Sequence, residues 1–450
     1  MKKLLLSSLL LRNSALAAIG ILMLVPGQAQ GDELLLAGFS SDSLTRHSDT
    51  TGAHLGSFGP ASLDGPLGIV LGPDGHVWVS SEESNQVLRF EVDTGLLIDA
   101  IIEDDPGTPE DETGGLLGPA GLLFRPNGNL LVGSFDNDAV LEYDSRTGAF
   151  IRFFVSIASG NLNGPDAGMA YGPDGHVYVP SYYNRRIKRY DGETGAFIDD
   201  FIEPPAGELQ RPRGILFPGD GYAYVVSELN NRVNRYDEIS GALIGPLVWD
   251  DPATTLDETG GLNSPTSIAL GPDGRLYVVS LQTDSVFRYE LADGSFVDEF
   301  VAPGSGGNNL PTVLQFVPDI AKRCTTSPNS VGAGALLVAY GSTWISAQNF
   351  LLSAQHAPPG SSGLFFYGPG ESAVPLGGGM LCVSGPQQRL PLVTVQASGL
   401  AQYHVDFSSS AASAITAGSS WYFQFWYRDP AGGSGALHNT SDSLRATFTL

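Results

Sequence analysis

The stretch GPLGIVLGPDGHVWVSSEESNQVLRFEVDTGLLIDAI, from Gly65 to Ile101, decides the fold, because it is written again 53 residues later without a gap. The second copy, Gly118 to Phe154, reads GPAGLLFRPNGNLLVGSFDNDAVLEYDSRTGAFIRFF. Offsets of 100, 146 and 199 recover further copies around Gly168, Gly214 and Ser267. Each copy holds four short runs of alternating apolar residues, parted by turn residues. The first turn is Pro73-Asp74-Gly75 or its equivalent, and the third ends in Gly95, Gly148, Gly195, Gly241 or Gly294. Glycine at these points suits the φ > 0 positions of tight hairpins. Four antiparallel strands per ~40–50 residues is the pattern of a propeller blade.

The remnants at the two ends of the array give the blade number. Leu310 to Asp319 (LPTVLQFVPD) matches an inner strand and the start of its turn, and then the copy stops. Leu34 to Phe58 matches the missing remainder at an offset of −43, with Leu34, Leu36, Leu44, Arg46 and Gly52 standing for Val77, Val79, Val87, Arg89 and Gly95. The expected architecture is therefore all-β: a six-bladed β-propeller over 30–319, closed between the chain ends, then a β-sandwich over 320–450. Closure in this way leaves no free sheet edge.

The segments NRRIKRYD (Asn184 to Asp191) and SNQVLRFE (Ser84 to Glu91), with the PDG turns, resemble NHL-type repeats. The wider array, residues 33–319, is similar to gluconolactonase-like (SMP-30) propellers and to streptogramin lyases. Such propellers host lactonases, lyases and binding modules alike, so the resemblance speaks for fold more than for activity. In metal-dependent kin it implies ligands in two columns of the repeat. Here the column before the inner-strand glycine reads Leu67, Ala120, Ala167, Arg213, Thr266 and Thr312. The column ending the second strand reads Gly38, Ser81, Ser134, Ser181, Ser227 and Ser280. Neither supplies a carboxylate or an imidazole, the donors that Ca²⁺ and catalytic Zn²⁺ require. His76 and His176 share a repeat position on the opposite face, and no G-x-S-x-G elbow occurs.

With Lys+Arg 23 against Asp+Glu 48, the chain carries −25, which argues against nucleic acid or an anionic membrane as partner. The sandwich stretch is nearly neutral, so the propeller bears essentially all of this charge. Lys2, Lys3 and Arg12, an apolar run from Ala15 to Val25 and the exit Pro26-Gly27-Gln28-Ala29 make residues 1–29 an export signal. The run is too short to span a bilayer, and no later stretch approaches that length. The mature chain is expected outside the cytoplasm, as a secreted, periplasmic or cell-surface protein. There its two cysteines, Cys324 and Cys382, have one possible intramolecular pairing. The sandwich stretch, with CTTSPNSVGAGA, GLFFYG and FQFWYRDP, looks like a terminal module of secreted bacterial proteins. Trp421 to Tyr427 is aromatic on both faces, as a strand covered on both sides would be.

Three groups of residues are candidates for function. One step past the serine column stand Phe39, Glu82, Phe135, Tyr182, Glu228 and Leu281, with Asp136 and Tyr183 beside them. Aromatic faces with nearby carboxylates suit a carbohydrate or a cationic small molecule. Asp166 and Arg213 fall in adjacent columns and are expected to pair at the mouth. Two loops repeat at a three-blade offset: Asp104, Asp105, Asp111 and Glu112 return as Asp250, Asp251, Asp257 and Glu258. Their oxygens offer a weak Ca²⁺ site, against the simpler reading of solvated acidic loops. The balance favours a secreted, non-catalytic propeller binding a carbohydrate, a cationic small molecule or an extracellular protein. The alternative is a lactonase-like hydrolase or lyase acting at the channel mouth.

Overall fold

The computed structural model describes residues 33–448 apart from 60–61, 73, 93, 106, 109, 204, 206–207, 318–319, 341–342, 344, 346–349, 433–434 and 436. The export signal expected over 1–29 lies outside the described residues. Alternating apolar residues and turn chemistry build six four-stranded antiparallel sheets, and these are the blades. Blade 1 consists of Pro66–Leu71, Val77–Ser81, Gln86–Phe90 and Leu97–Ile102. Blades 2 to 5 span residues 119–155, 170–202, 212–248 and 265–301 in the same order. Blade 6 joins the two ends of the array, with Pro311–Val317 paired to Glu33–Gly38, followed by Ser43–Ser48 and His54–Phe58. The closure expected from the two partial copies is present.

Two turn devices recur around the ring. In the first turn the Asp74 Oδ1 accepts the His76 N–H at 3.2 Å, an Asx turn repeated at Asn127, Asp174, Asp220 and Asp273. In the third turn Gly148 has φ +73°, and a Cβ there would meet the Ile101 carbonyl of the preceding blade at 1.7 Å. Glycine is therefore required both by the backbone and by blade-to-blade packing.

An ion pair ties the third strand of most blades to the outer strand. Arg89 faces Asp99, Arg189 faces Asp199 and Arg288 faces Asp298, each a bidentate pair closing at 2.5 Å. Blade 2 inverts the charges, with Glu142 opposite Arg152. In blade 6, where Gly56 stands opposite Arg46, Glu33 pairs with that arginine from the second strand at 2.5 Å. Blade 4 departs from all of these, with Gly245 opposite Arg235.

Beyond the ring, a five-stranded sheet runs in the order Ile320–Arg323, His438–Thr447, Ser420–Arg428, Ser362–Gly368, Gln388–Thr394. A three-stranded sheet of Leu336–Tyr340, Leu351–Gln355 and Ala401–His404 packs against it. Phe365, Phe423, Phe425 and Tyr427 from the first meet Leu337, Leu352 and Ala401 from the second in one core. This is the expected sandwich. The other face of Ser420–Arg428 is covered by the hairpin Gly370–Leu376/Gly379–Ser384, where the buried Gln424 side chain accepts the Cys382 N–H at 3.0 Å. The strand is thus two-sided, which explains its aromatic residues on both faces. Cys324 and Cys382 are bonded, with Cα atoms 6.1 Å apart. The sandwich meets the turns of blade 2, where Arg146 Nε donates to His356 Nε2 at 2.9 Å. Among the described residues no helix is long and apolar enough to cross a membrane.

Candidate functional site

The loops before each inner strand and after each second strand meet on one face of the ring, and the serine column fastens them together. The Ser81 hydroxyl accepts the Asp64 N–H at 2.8 Å and donates to the Asp64 carbonyl at 3.0 Å. Ser134, Ser181, Ser227 and Ser280 do the same for residues 117, 163, 210 and 263. With both hydrogen-bonding roles used internally, this ring of hydroxyls is a structural brace.

A second fastening links neighbouring blades. Asn85 stands in the left-handed region at φ 55°, and its Oδ1 accepts the Gly118 N–H of the next blade at 2.8 Å. Asp42, Asp138, Asn231 and Asp284 hold Gly65, Gly164, Ser264 and Leu310 in the same way. Asn and Asp tolerate this backbone region and carry the acceptor, so the residue type follows from both needs. Arg185 takes the equivalent position between blades 3 and 4. At that junction Arg211 and Arg213 of blade 4 instead lie over the Tyr182 ring of blade 3, at 5.1 and 5.6 Å.

Within this frame a cavity of about 260 Å³ opens at the channel mouth, lined by Phe39, Leu67, Glu82, Phe135, Asp166, Tyr182, Tyr183, Arg213, Leu281, Leu310 and Thr312. Eight residues singled out in the sequence, Phe39, Glu82, Phe135, Asp166, Tyr182, Tyr183, Arg213 and Leu281, therefore come together. Phe135 stands 5.8 Å from Tyr182 and 5.7 Å from Tyr183, centroid to centroid, in an interlocked cluster. Thr312 and Thr266 of the other column donate to the carbonyls of Pro66 and Pro311, stapling adjacent inner strands.

Arg213 is the electrostatic centre. Its Nε lies 3.2 Å from Asp166 Oδ2, an ion pair without hydrogen-bond alignment, and its Nη1 lies 3.7 Å from Glu228 Oε2. Asp166 is fully buried, and desolvation pushes its carboxyl upward against the pull of Arg213. Glu228 is 6% exposed and does not line the cavity, so it does not face Glu82 across open space. Asp136 also lies outside the lining, although its charge reaches Glu82. The Glu82 side chain makes no hydrogen bond or ion pair among the described residues; only its backbone bonds, to Gly65 and Asn85. Burial first, then the charge of Asp166, raises its carboxyl to about 7. Tyr182 is raised to about 12, by burial and then by Glu228.

The acidic loops are satisfied within themselves. The Glu112 carboxylate accepts from the Asp105 N–H at 3.2 Å and from the Thr108 hydroxyl, while Asp111 caps Thr113 at 2.8 Å. The copy repeats this, with Glu258 on Asp251 and Thr254, and Asp257 on Thr259. Asp104 and Asp250 each approach the glutamate of their own loop and are raised, through desolvation and that contact. Among the described residues no three carboxylate, imidazole or thiol side chains converge as a metal site.

Six blades closed by strands from both ends of the array, braced around a narrow acidic and aromatic mouth, define a β-propeller. Solved structures are similar in fold. A streptogramin B lyase structure matches at TM-score 0.45 and 14% identity, over 64% of this chain and 91% of that one. A nidogen/laminin complex matches at TM-score 0.50 and 16% identity, over 64% and 98%. A protein of unknown function from Bacteroides caccae matches at TM-score 0.46 and 11% identity, over 64% and 99%. At these identities the likeness is one of fold alone. No protein-family model matches the chain, and no curated protein matches it in sequence.

Proposed function

We propose that the protein is an exported, non-catalytic binding propeller whose channel mouth takes a small ligand with an apolar body and a positive charge. The observation that carries this reading is Glu82, an unpaired carboxyl in a cavity walled by Phe39, Phe135, Leu67 and Leu281. Asp166 and Glu228 are already drawn to Arg213, so Glu82 is the group left to meet a ligand. An ammonium group there gains both the carboxylate and the negative faces of nearby rings. Export is supported by the amino-terminal sequence and by the Cys324–Cys382 bond, which persists in oxidising compartments.

The test is calorimetric titration of the mature protein with choline, glucose and Ca²⁺. Choline is expected to bind, and only with Glu82 ionised. Its affinity should rise about tenfold between pH 6 and pH 8 as the competent fraction grows, and Glu82→Gln should abolish that rise. If none of the three probes binds, the reading falls. A hydrolase or lyase at the same mouth is favoured by one observation, that a carboxyl held at about 7 suits general acid–base work. Acid release from γ-butyrolactone by the wild type, lost in Glu82→Gln, would establish it.

A further inference from the structure

On the face opposite the channel mouth, blade 4 leaves open a position that its sister blades fill. In blades 1, 3 and 5 the arginine of the third strand has two carboxylate partners. Its Nε donates to an outer-strand aspartate, at 2.8 Å for Arg89–Asp99, 3.1 Å for Arg189–Asp199 and 2.8 Å for Arg288–Asp298. Its Nη1 reaches the first-turn aspartate, Asp74, Asp174 or Asp273. Arg235 has neither carboxylate partner among the described residues, and its guanidinium meets the Tyr224 hydroxyl instead. Gly245 stands opposite it, and a Cβ built there would meet nothing within 4 Å. The Asp220 Oδ2 is taken by the Tyr224 hydroxyl at 2.7 Å and its Oδ1 by the Tyr222 N–H at 3.1 Å. The Glu33 that serves Arg46 in blade 6 is matched here by Tyr222, whose ring lies 4.8 Å beneath the Arg235 guanidinium. Arg235 Nε, the donor its sisters use, is buried with no acceptor. A cavity of about 370 Å³ adjoins it, lined by Asp220, Tyr222, Tyr224, Arg235, Glu290 and Leu291 among others. Glu290 is occupied by Arg275 Nε at 2.9 Å.

We infer that this cavity is a carboxylate-binding site, in which the ligand's carboxylate takes the place of the missing outer-strand aspartate on Arg235. Arginine's fork matches a carboxylate through two parallel N–H donors, and Tyr222 beneath holds the guanidinium in its plane. The volume admits a small body behind the carboxylate, resting on Leu291 and the tyrosines. The same chemistry comes from a free organic acid or from the C-terminus of a polypeptide.

The test is calorimetric titration of the full mature chain at low ionic strength with propionate, N-acetylglycinate and the uncharged N-acetylglycinamide. Both carboxylates are expected to bind and the amide to give no signal. Tighter binding of N-acetylglycinate marks a peptide terminus as the source, and equal binding marks a free acid. Arg235→Gln should weaken both by about tenfold or more. Gly245→Asp rebuilds the internal partner and should block binding, whereas Gly245→Ala, which shares its backbone strain at φ +149°, should not. Carboxylates that fail to bind the wild type, or that bind Arg235→Gln equally well, overturn the assignment. So does undiminished binding to Gly245→Asp.

Discussion

Replacing Glu82 with glutamine removes a charge that the folded chain holds against its preference. The carboxyl lies at about 7 in the fold against an ordinary 4.5, because burial and Asp166 both disfavour its ionised form. Each tenfold change in proton affinity corresponds to about 1.4 kcal/mol, so the unscreened penalty of ionisation is roughly 3 kcal/mol. The mouth is open to water, and screening reduces this to about 1.5 kcal/mol. A raised carboxyl contributes stability that is fully present below pH 4.5 and lost as the pH climbs through 7. Glu82→Gln should therefore match the wild type in thermal midpoint at pH 4 and exceed it at pH 8, by about 3–5 °C. Differential scanning calorimetry across this range reads the effect directly. An equal gain at both pH values, or a loss at pH 8, would refute the electrostatic account of this residue.

Further outcomes follow from the fastenings of the ring and the sandwich. Asp138→Ala loses the bond to the Gly164 N–H at 2.8 Å and forces alanine to φ 55°, at a cost of about 2 kcal/mol in urea denaturation, whereas Asp138→Asn keeps both features. The double variant Cys324→Ser, Cys382→Ser releases a 58-residue separation and should cost the sandwich roughly 4 kcal/mol, read from Trp421 and Trp426 fluorescence. Deleting residues 30–58 removes three strands of blade 6, and sedimentation should then show aggregation through the exposed edges; a monomer with unchanged unfolding would contradict the closure.

The ring was legible in the sequence because its spacing is rigid: a gapless offset carries each side chain to the same place in the next blade. The closing blade followed from two partial copies, and the disulfide from the presence of only two cysteines. The site was legible as a set of positions but not as a set of partners. Glu82 and Glu228 share a column, yet the preceding column holds Leu67 in one blade and Arg213 in the other. One carboxyl therefore lies against a leucine wall while the other draws near a guanidinium. The serine column read as a hydroxyl ring, but its Oγ atoms turn back on the loop seventeen or eighteen residues upstream. The Asn and Asp latches stood in the repeat as well. Their meaning depended on a neighbouring blade, which no single copy contains. The vacancy beside Arg235 was hidden in the same way, since it appears only when each arginine is paired with its cross-strand neighbour.

The most direct test of the central claim is a crystal structure of the mature protein soaked with choline at pH 8. The account predicts density for the ammonium group beside the Glu82 carboxylate and within about 6 Å of the rings of Phe39, Phe135 or Tyr183. That density should be missing from crystals of Glu82→Gln. A mouth that stays empty in the wild type, or choline bound equally in the variant, would contradict it.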